Sequence, residues 1–154
     1  MTIGRTLRDF LADSRVDYNL VEHPWSEGSR ETAEAALIPG DRLAKGVVLK
    51  HGDGYVLAVL PSSRRVDLRT LRQTLGRDLD LASEEQTEWL FRDCMAGAIP
   101  PTGLAYDIET VVDESLDRQP EVWFEAGDHR TLVHVDHEGF SRLMMEARYA
   151  QFCS

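Results

Sequence analysis

Apolar residues recur along the chain with two different periods, and each period predicts a different kind of element. Leu7, Phe10 and Leu11 stand three and four residues apart, which predicts an amphipathic helix near the N-terminus. Residues 18–22 are typical of a short strand that ends before His23-Pro24. Further helices are predicted from Thr32 as N-cap to Pro39-Gly40, over 68–75 with Gly76 as the end, from the Ser83–Gln86 capping box through Leu90, and over 140–147.

The strongest strand signal lies in the middle of the chain. Residues 46–49 and 55–60 are apolar runs separated by His-Gly-Asp-Gly, which supplies the positive φ angles of a tight turn and predicts a β-hairpin. Strands are also predicted at 109–112, 122–125 and 131–135, and Gly127-Asp128 turns between the last two. Because most strands are joined by hairpins, the pattern favours an α+β fold with a mixed, largely antiparallel sheet.

Residues 97–103, Gly-Ala-Ile-Pro-Pro-Thr-Gly, are predicted to form an irregular loop, because two adjacent prolines lack the N–H groups that a helix or a central strand needs. The chain shows no internal repeat, no low-complexity tract and no Pro/Ser-rich linker. Residues 1–154 are therefore expected to form a single domain.

The net charge of −10 argues against an extended interface with DNA or RNA, since phosphate contacts need clustered Lys and Arg. A local contact with nucleic acid is compatible with residues 64–72, which hold four Arg against one Asp; a solvated helix face is the alternative.

No apolar stretch reaches the length of a membrane span and residues 1–10 lack the core of a signal peptide, so we expect a cytoplasmic protein without a membrane partner. Cys94 and Cys153 are expected to be free thiols.

Several segments, taken in order, carry a family resemblance. They are Leu43–Leu49 with Lys45, Tyr55–Pro61, Arg64–Leu68, the Gly-x-x-x-Pro loop within Gly97–Leu104, Val112–Leu116, and Phe124–His129. Together they cover roughly residues 5–146 and resemble the YbaK/prolyl-tRNA synthetase-associated editing family. Each segment alone is weakly specific, whereas their ordered combination is much more so. Two departures, Gly46 where Thr commonly follows the lysine and Thr102 where a bulkier residue is frequent, bear on amino-acid specificity.

The resemblance implies a barrel-like mixed sheet surrounded by helices and a trans-editing deacylase. Such an enzyme would hydrolyse the ester between a wrong amino acid and the terminal adenosine of tRNA. Its partners would be the 3′ acceptor end of a mischarged tRNA and an aminoacyl-tRNA synthetase. Alanine and serine are the first candidates for the amino acid, because a pocket for a small side chain rejects larger ones. Two alternatives stay open: a non-catalytic module that binds tRNA or a synthetase, and a hydrolase of another small acyl ester or thioester.

The resemblance also implies site residues. Lys45 would hold a phosphate of the tRNA end, and backbone groups between Gly97 and Pro101 would hold the substrate carbonyl. His129 could orient substrate or polarise water, and Asp113 could accept a hydrogen bond from the ribose or the α-amino group. The remaining substrate-binding candidates are Thr32, Arg64, Ile99 and Gly103. Structural alternatives are a solvated lysine, a rigid surface turn, a turn histidine and a capping aspartate.

No nucleophile is assigned, because the resemblance implies catalysis by the substrate's own 2′-hydroxyl and by fixed backbone dipoles. His129, His134 and His137 lie close together in the sequence, which makes a metal site an alternative. If residues 129–135 form a strand, an offset of five places His129 and His134 on opposite faces, where one ion cannot easily meet both. We therefore expect neither a metal nor another cofactor.

Overall fold

The structure is a computed structural model that describes residues 3–154. Eight strands and six α-helices alternate irregularly along the chain. The helices are α1 (Arg5–Ser14), α2 (Ser29–Ala35), α3 (Leu68–Leu75), α4 (Glu84–Leu90), α5 (Glu114–Asp117) and α6 (His137–Leu143). The strands are β1 (Asn19–Glu22), β2 (Leu43–His51), β3 (Gly54–Pro61), β4 (Asp80–Leu81), β5 (Glu109–Asp113), β6 (Glu121–Glu125), β7 (Thr131–Asp136) and β8 (Arg148–Ala150). Two short 3₁₀ segments cover Gly40–Arg42 and Gly103–Tyr106.

All the strands named above belong to one sheet, in the order β1-β7-β6-β2-β3-β5-β8, with β4 paired to β2. The β1–β7, β6–β7, β2–β3 and β2–β4 pairs are antiparallel. The β2–β6, β3–β5 and β5–β8 pairs are parallel. The expected α+β class with a mixed, largely antiparallel sheet is therefore confirmed. The predicted hairpin is its longest pairing, and Gly52 adopts φ +55° in the turn.

Both faces of the sheet are buried, and β3 shows this most directly. Leu57 and Val59 pack into a large core that includes α1 and α6, while Val56, Ala58 and Leu60 pack into a second core beneath α3. Successive side chains of a strand point to opposite faces, so an apolar run without alternation is what a strand covered on both sides requires. Within residues 3–154, every helix is too short or too polar to span a bilayer.

Local signals located several helix ends correctly. Ser83 and Gln86 form the predicted capping box: the Gln86 amide donates to Ser83 Oγ at 3.1 Å and the Ser83 amide to Gln86 Oε1 at 2.9 Å. Gly76 ends α3 in the left-handed conformation with φ +64°. The predicted α1 is present, and its Leu7 and Leu11 are fully buried.

Three boundary predictions are wrong. Thr32 lies inside α2, whose N-cap is Gly28, and its hydroxyl bonds Ser26 Oγ at 2.7 Å instead of a helix amide. The last helix ends at Leu143, because residues 148–150 leave it to pair with β5 as strand β8. The predicted strand 46–49 begins three residues earlier, at Leu43, where it joins β6. The last two differences come from strand partners distant in sequence, which local periodicity does not encode.

Candidate active site

Four of the predicted site residues line one small cavity of about 40 Å³, which we call the small cavity. It lies between β2, the N-terminal part of α2, the loop 97–103 and the end of β6. Its walls are Ser29, Thr32, Leu43, Ala44, Lys45, Gly46, Gly97, Ile99 and Glu125. The volume exceeds the roughly 10–15 Å³ that one water molecule needs, but it admits only a small chemical group.

Two larger grooves adjoin the small cavity on either side. The basic groove, of about 670 Å³, shares Ser29 and Lys45 with it. Its walls also include Arg30, Arg64 and Arg65, against two carboxylates, Glu31 and Glu34. The apolar groove, of about 520 Å³, shares three wall residues with the small cavity; its lining includes Gly46, Gly97, Ile99, Phe91, Met95 and His129. The shared walls make the three hollows neighbours along one surface. A hollow of about 770 Å³ elsewhere is larger, but none of the predicted site residues lines it.

Lys45 is the third residue of β2 and lies where the small cavity meets the basic groove. Burial lowers the pKa of its ammonium group, and the positive charge of Arg65 lowers it further. No carboxylate within residues 3–154 forms a salt bridge with Lys45. A half-buried cation next to a second cation is unfavourable by itself, and an anion such as phosphate would relieve that cost.

The loop 97–103 brings its backbone to the small cavity. Gly97 adopts φ +82°, a conformation in which a side chain is strained, and a Cβ there would lie 3.3 Å from His129 Cε1. Within residues 3–154 the amide N–H groups of Gly97 and Ile99 have no hydrogen-bond acceptor. Since Pro100 and Pro101 have no N–H, these two amides are the donors that the first half of the loop can offer to a ligand.

Gly46 explains how closely the loop approaches β2. A Cβ at this position would lie 3.0 Å from Leu57 Cδ1 and 3.5 Å from Pro101 Cα. The glycine therefore lets the Pro101 end of the loop pack against the strand that carries Lys45. Gly46, at a position where the resemblance leads us to expect threonine, therefore determines how closely the loop approaches β2.

His129 fixes the loop in place. Its Nδ1 lies 2.9 Å from the Ser26 carbonyl oxygen and its Nε2 lies 2.6 Å from the Ala96 carbonyl oxygen. Both ring nitrogens therefore lie within hydrogen-bonding distance of a backbone carbonyl oxygen, and His129 is not one of the residues that line the small cavity. The expected role in polarising water does not fit this geometry. His129 instead positions the residue directly before Gly97.

Glu125 is a site residue that the sequence analysis did not assign. Its two carboxylate oxygens are buried and lack a hydrogen-bond partner among residues 3–154. Burial, and then the negative charge of Asp128, raise the pKa of Glu125 to about 8. The only signal in the sequence is a carboxylate at the end of an apolar strand, which alternation would place on the face opposite to Phe124. Only the tertiary structure shows that α2 covers that face.

The other predicted residues divide between the site and the scaffold. Thr32 lines the small cavity and Arg64 the basic groove, whereas Gly103 and Asp113 line neither. A Cβ at Gly103 would collide with the Thr110 hydroxyl and lie 2.9 Å from the Ile108 carbonyl oxygen, so this glycine is required for packing.

The Asp113 carboxylate accepts from the Ser115 amide at 3.0 Å and from the Phe152 amide at 2.9 Å. It thereby caps α5 and holds the C-terminal segment. Burial raises the pKa of Asp113, but the hydrogen bonds from Ser115 and Phe152 outweigh it and leave the pKa below its ordinary value. The expected contact with ribose or an α-amino group does not fit these engaged oxygens, and the capping alternative does.

The histidines considered for a metal have separate partners. His134 Nε2 lies 2.9 Å from Glu121 Oε1, and His137 Nε2 lies 3.2 Å from Asp117 Oδ1. The argument from opposite strand faces does not apply as stated, because β7 begins at Thr131 and His129 lies in the preceding turn. No group of three His, Cys, Asp or Glu side chains in the described part of the chain could hold a metal ion.

The small cavity combines free backbone amides, an ammonium group and a buried carboxyl group. This is the arrangement of a protein that stabilises a developing oxyanion with fixed dipoles. Residues 23–143 match the family model of the aminoacyl-tRNA editing domain, so the chain belongs to that family. Its members are deacylases, hydrolases of the ester bond in mischarged tRNA, and the expectation of a hydrolase of this class is confirmed.

Individual relatives agree with this assignment. The chain is 24% identical over 141 residues to the prolyl-tRNA editing protein ProX of Acetoanaerobium sticklandii, which covers 87% of this chain and 85% of that protein. A solved structure described as a candidate trans-editing enzyme for prolyl tRNA synthetase has a TM-score of 0.83 at 24% identity, over 97% of this chain and 96% of that one. The hypothetical protein APE2540 has a TM-score of 0.85 at 17% identity, over 97% and 100% of the two chains. Both structures support the fold.

Proposed function

We propose that this protein is a trans-editing deacylase that hydrolyses tRNA charged with a wrong small amino acid, alanine or serine. One observation carries the proposal: Lys45, the free Gly97 and Ile99 amides, and Thr32 surround a single small cavity. The name of the ProX relative supports a tRNA specific for proline as the substrate. The cytoplasmic location, the single-domain organisation and a synthetase partner stay predictions.

Each part of the site has a role in the reaction. Lys45 and Arg64 hold phosphates of the tRNA 3′ end in the basic groove, which fixes the terminal adenosine at the small cavity. The Gly97 and Ile99 amides donate to the carbonyl oxygen of the ester, where negative charge grows as water attacks the carbonyl carbon. The ester C–O bond then breaks, and the ribose oxygen leaves with a proton. His129 and Pro101 position the loop.

The size of the small cavity supports the choice of amino acid. A volume of about 40 Å³ accommodates a methyl or hydroxymethyl side chain with its α-carbon, whereas a branched or aromatic side chain would require the walls to move. One methylene changes binding by only about 1–3 kcal/mol, so alanine and serine are expected to be treated similarly.

Lysine replacement tests the proposal, and the chain offers a matched control because its two lysines, Lys45 and Lys50, lie on the same strand. We expect the wild type to release alanine or serine from a mischarged proline tRNA faster than buffer does. Lys45→Ala should reduce kcat/KM by about 10–100-fold, because the variant loses one charge-assisted hydrogen bond to the substrate. Lys50→Ala, at an exposed position outside the site, should leave the rate unchanged.

A panel of mischarged tRNAs decides between the proposal and its alternatives. Tight tRNA binding without release of any amino acid would contradict the enzyme and support a binding module. Equal hydrolysis of free acyl esters or thioesters and of tRNA esters would contradict the editing substrate. Equal rates for the Lys45→Ala and Lys50→Ala variants would contradict the assignment of the site.

A further inference from the structure

We propose that Glu125 binds the α-ammonium group of the aminoacyl ester and makes this site selective for esters of free amino acids over N-blocked or deaminated ones. The inference rests on the proposed function, since it assigns a further contact to the same substrate. It also explains a feature that ester hydrolysis alone does not require, namely a buried carboxylate in the cavity wall.

The hydrogen-bonding atoms around Glu125 match an ammonium group. His23 Nδ1 lies 2.7 Å from the Pro24 carbonyl oxygen and therefore carries a hydrogen, so in the neutral ring Nε2 is an acceptor. His23 Nε2 lies 3.8 Å from Glu125 Oε1. Among residues 3–154, neither Glu125 oxygen nor His23 Nε2 has a partner. When Glu125 is ionised, its two oxygens and His23 Nε2 are all acceptors that need donors, and an ammonium group carries three N–H bonds and no lone pair.

The charges along the site match the two charged ends of the substrate. Lys45, Arg64 and Arg65 place positive charge in the basic groove, and Glu125 places a carboxylate in the wall of the small cavity. An aminoacylated adenosine end carries phosphate at one end and an α-ammonium at the other. Placing the phosphate at Lys45 therefore directs the α-amino group towards Glu125, with the ester carbonyl between them at the loop amides.

The raised pKa of Glu125 is compatible with a carboxyl group that ionises when it binds a cation. Burial raises the pKa of this carboxyl to about 8, with a further contribution from the charge of Asp128. The nearby Thr32 hydroxyl favours the ionised form, but it does not compensate for the lost water. An ammonium ligand would supply the missing positive charge, and the carboxyl would ionise when it binds. The competing interpretation is purely structural: Glu125 pairs with a protonated His23 and touches no substrate.

Two stable probes separate these interpretations. Alanyl-3′-amino-3′-deoxyadenosine 5′-phosphate keeps the α-ammonium in an amide that resists hydrolysis, and the lactyl counterpart has a hydroxyl in its place. We expect the wild type to bind the alanyl probe about tenfold more tightly than the lactyl probe, measured by calorimetry at neutral pH. Glu125→Gln, which keeps the shape, should reduce this preference to about twofold or less. Glu125→Asp, which keeps the charge, should retain part of it.

Glu121→Gln is the matched control. Glu121 lies on the same strand, and its carboxylate pairs with Arg42 at 3.0 Å outside the small cavity. This variant should keep the wild-type preference. A structural role for Glu125 would weaken both probes equally, and that result would overturn the inference, as would a wild type that binds both probes alike.

The outcomes also separate this inference from the proposed function. A wild type that discriminates between the probes but releases no amino acid from any mischarged tRNA would refute the deacylase and leave the ammonium site standing. A wild type that deacylates alanyl-tRNA and lactyl-tRNA equally, and binds both probes alike, would refute the ammonium site alone.

Discussion

At the scale of single residues, Glu125 couples the free energy of unfolding to pH. Its pKa is about 8 in the fold against an ordinary value of 4.5, so between these two values the folded state binds more protons than the unfolded state. This contribution to the free energy of unfolding is complete below pH 4.5 and is lost as pH rises through about 8. His23 and Asp128 face the same carboxyl, and Asp128 enlarges the effect.

Glu125→Gln should therefore flatten the decline in stability between pH 4.5 and about 8. We expect the variant to exceed the wild type in free energy of unfolding by at least about 1 kcal/mol near pH 9, since one pKa unit corresponds to about 1.4 kcal/mol. Urea denaturation at a series of pH values measures this difference. Parallel pH profiles for the two proteins would show that the burial of Glu125 carries no such cost.

Residue chemistry also explains which of the predicted site residues the structure brings together. Lys45, Gly97 and Ile99 could be proposed from the motif. The ammonium group of Lys45 and the backbone of the loop do not depend on distant residues for the chemistry that we assign to them. The proposed substrate contacts of Asp113 and His129 failed because each side chain is fully engaged by distant groups, the Phe152 amide in one case and the Ser26 and Ala96 carbonyl oxygens in the other. Such partners do not show in local sequence.

At the scale of elements, the loop 97–103 acts as a stiff unit, and two glycines allow its role to be tested. Gly97 and Gly76 both have positive φ angles, +82° and +64°. A Cβ at Gly76 meets nothing within 4 Å, whereas one at Gly97 approaches His129. Gly97→Ala and Gly76→Ala should each lower the free energy of unfolding by about 1–2 kcal/mol. Only Gly97→Ala should also lower deacylation, by roughly tenfold or more, because it displaces an oxyanion donor.

Thermal denaturation and single-turnover deacylation of the two variants measure these effects. Equal activity in both would indicate that the loop backbone takes no part in the reaction. Equal loss of activity in both would indicate that the loss follows stability alone.

The elements that escaped prediction are the short ones. β4 has two residues, β8 three and α5 four, so none holds enough residues to show a period. β8 exists because Arg148–Ala150 pairs with β5, and α5 because Asp113 accepts the Ser115 amide. Longer elements such as α1, α3 and the β2–β3 hairpin could be predicted, since each repeats its pattern several times and carries its own end signals.

At the scale of the whole molecule, a protein with a net charge of −10 must gather positive side chains in one place if it is to attract RNA. The arginine run of residues 64–77 divides in the fold. Arg72 and Arg77 pair with Asp80 and Glu109, at 3.2 Å and 2.7 Å, as expected of a helix face. Arg64 and Arg65 line the basic groove. We therefore propose that Arg64 and Arg65 bind RNA, whereas Arg72 and Arg77 belong to the scaffold.

Salt dependence tests this division. The double variant Arg64→Ala/Arg65→Ala should bind deacylated proline tRNA more weakly and reduce the slope of log K against log salt by roughly 1–2. Arg72→Ala/Arg77→Ala removes the same charge from the helix face and should leave that slope nearly unchanged. Filter binding at several salt concentrations measures both. Equal slopes for the two double variants would show that net charge, not the groove, governs binding.

The sequence by itself determined the fold class, the hairpin, the ends of α3 and α4 and the ordered motifs that carry the family, because each is set by neighbours in the chain or by backbone chemistry. The tertiary structure decided which polar groups meet. It joined Lys45, the free loop amides and Glu125 at one cavity, and it engaged Asp113 and His129 elsewhere. Burial and long-range partners control whether a carboxylate or an imidazole is available to a substrate, and both arise only when distant segments pack together.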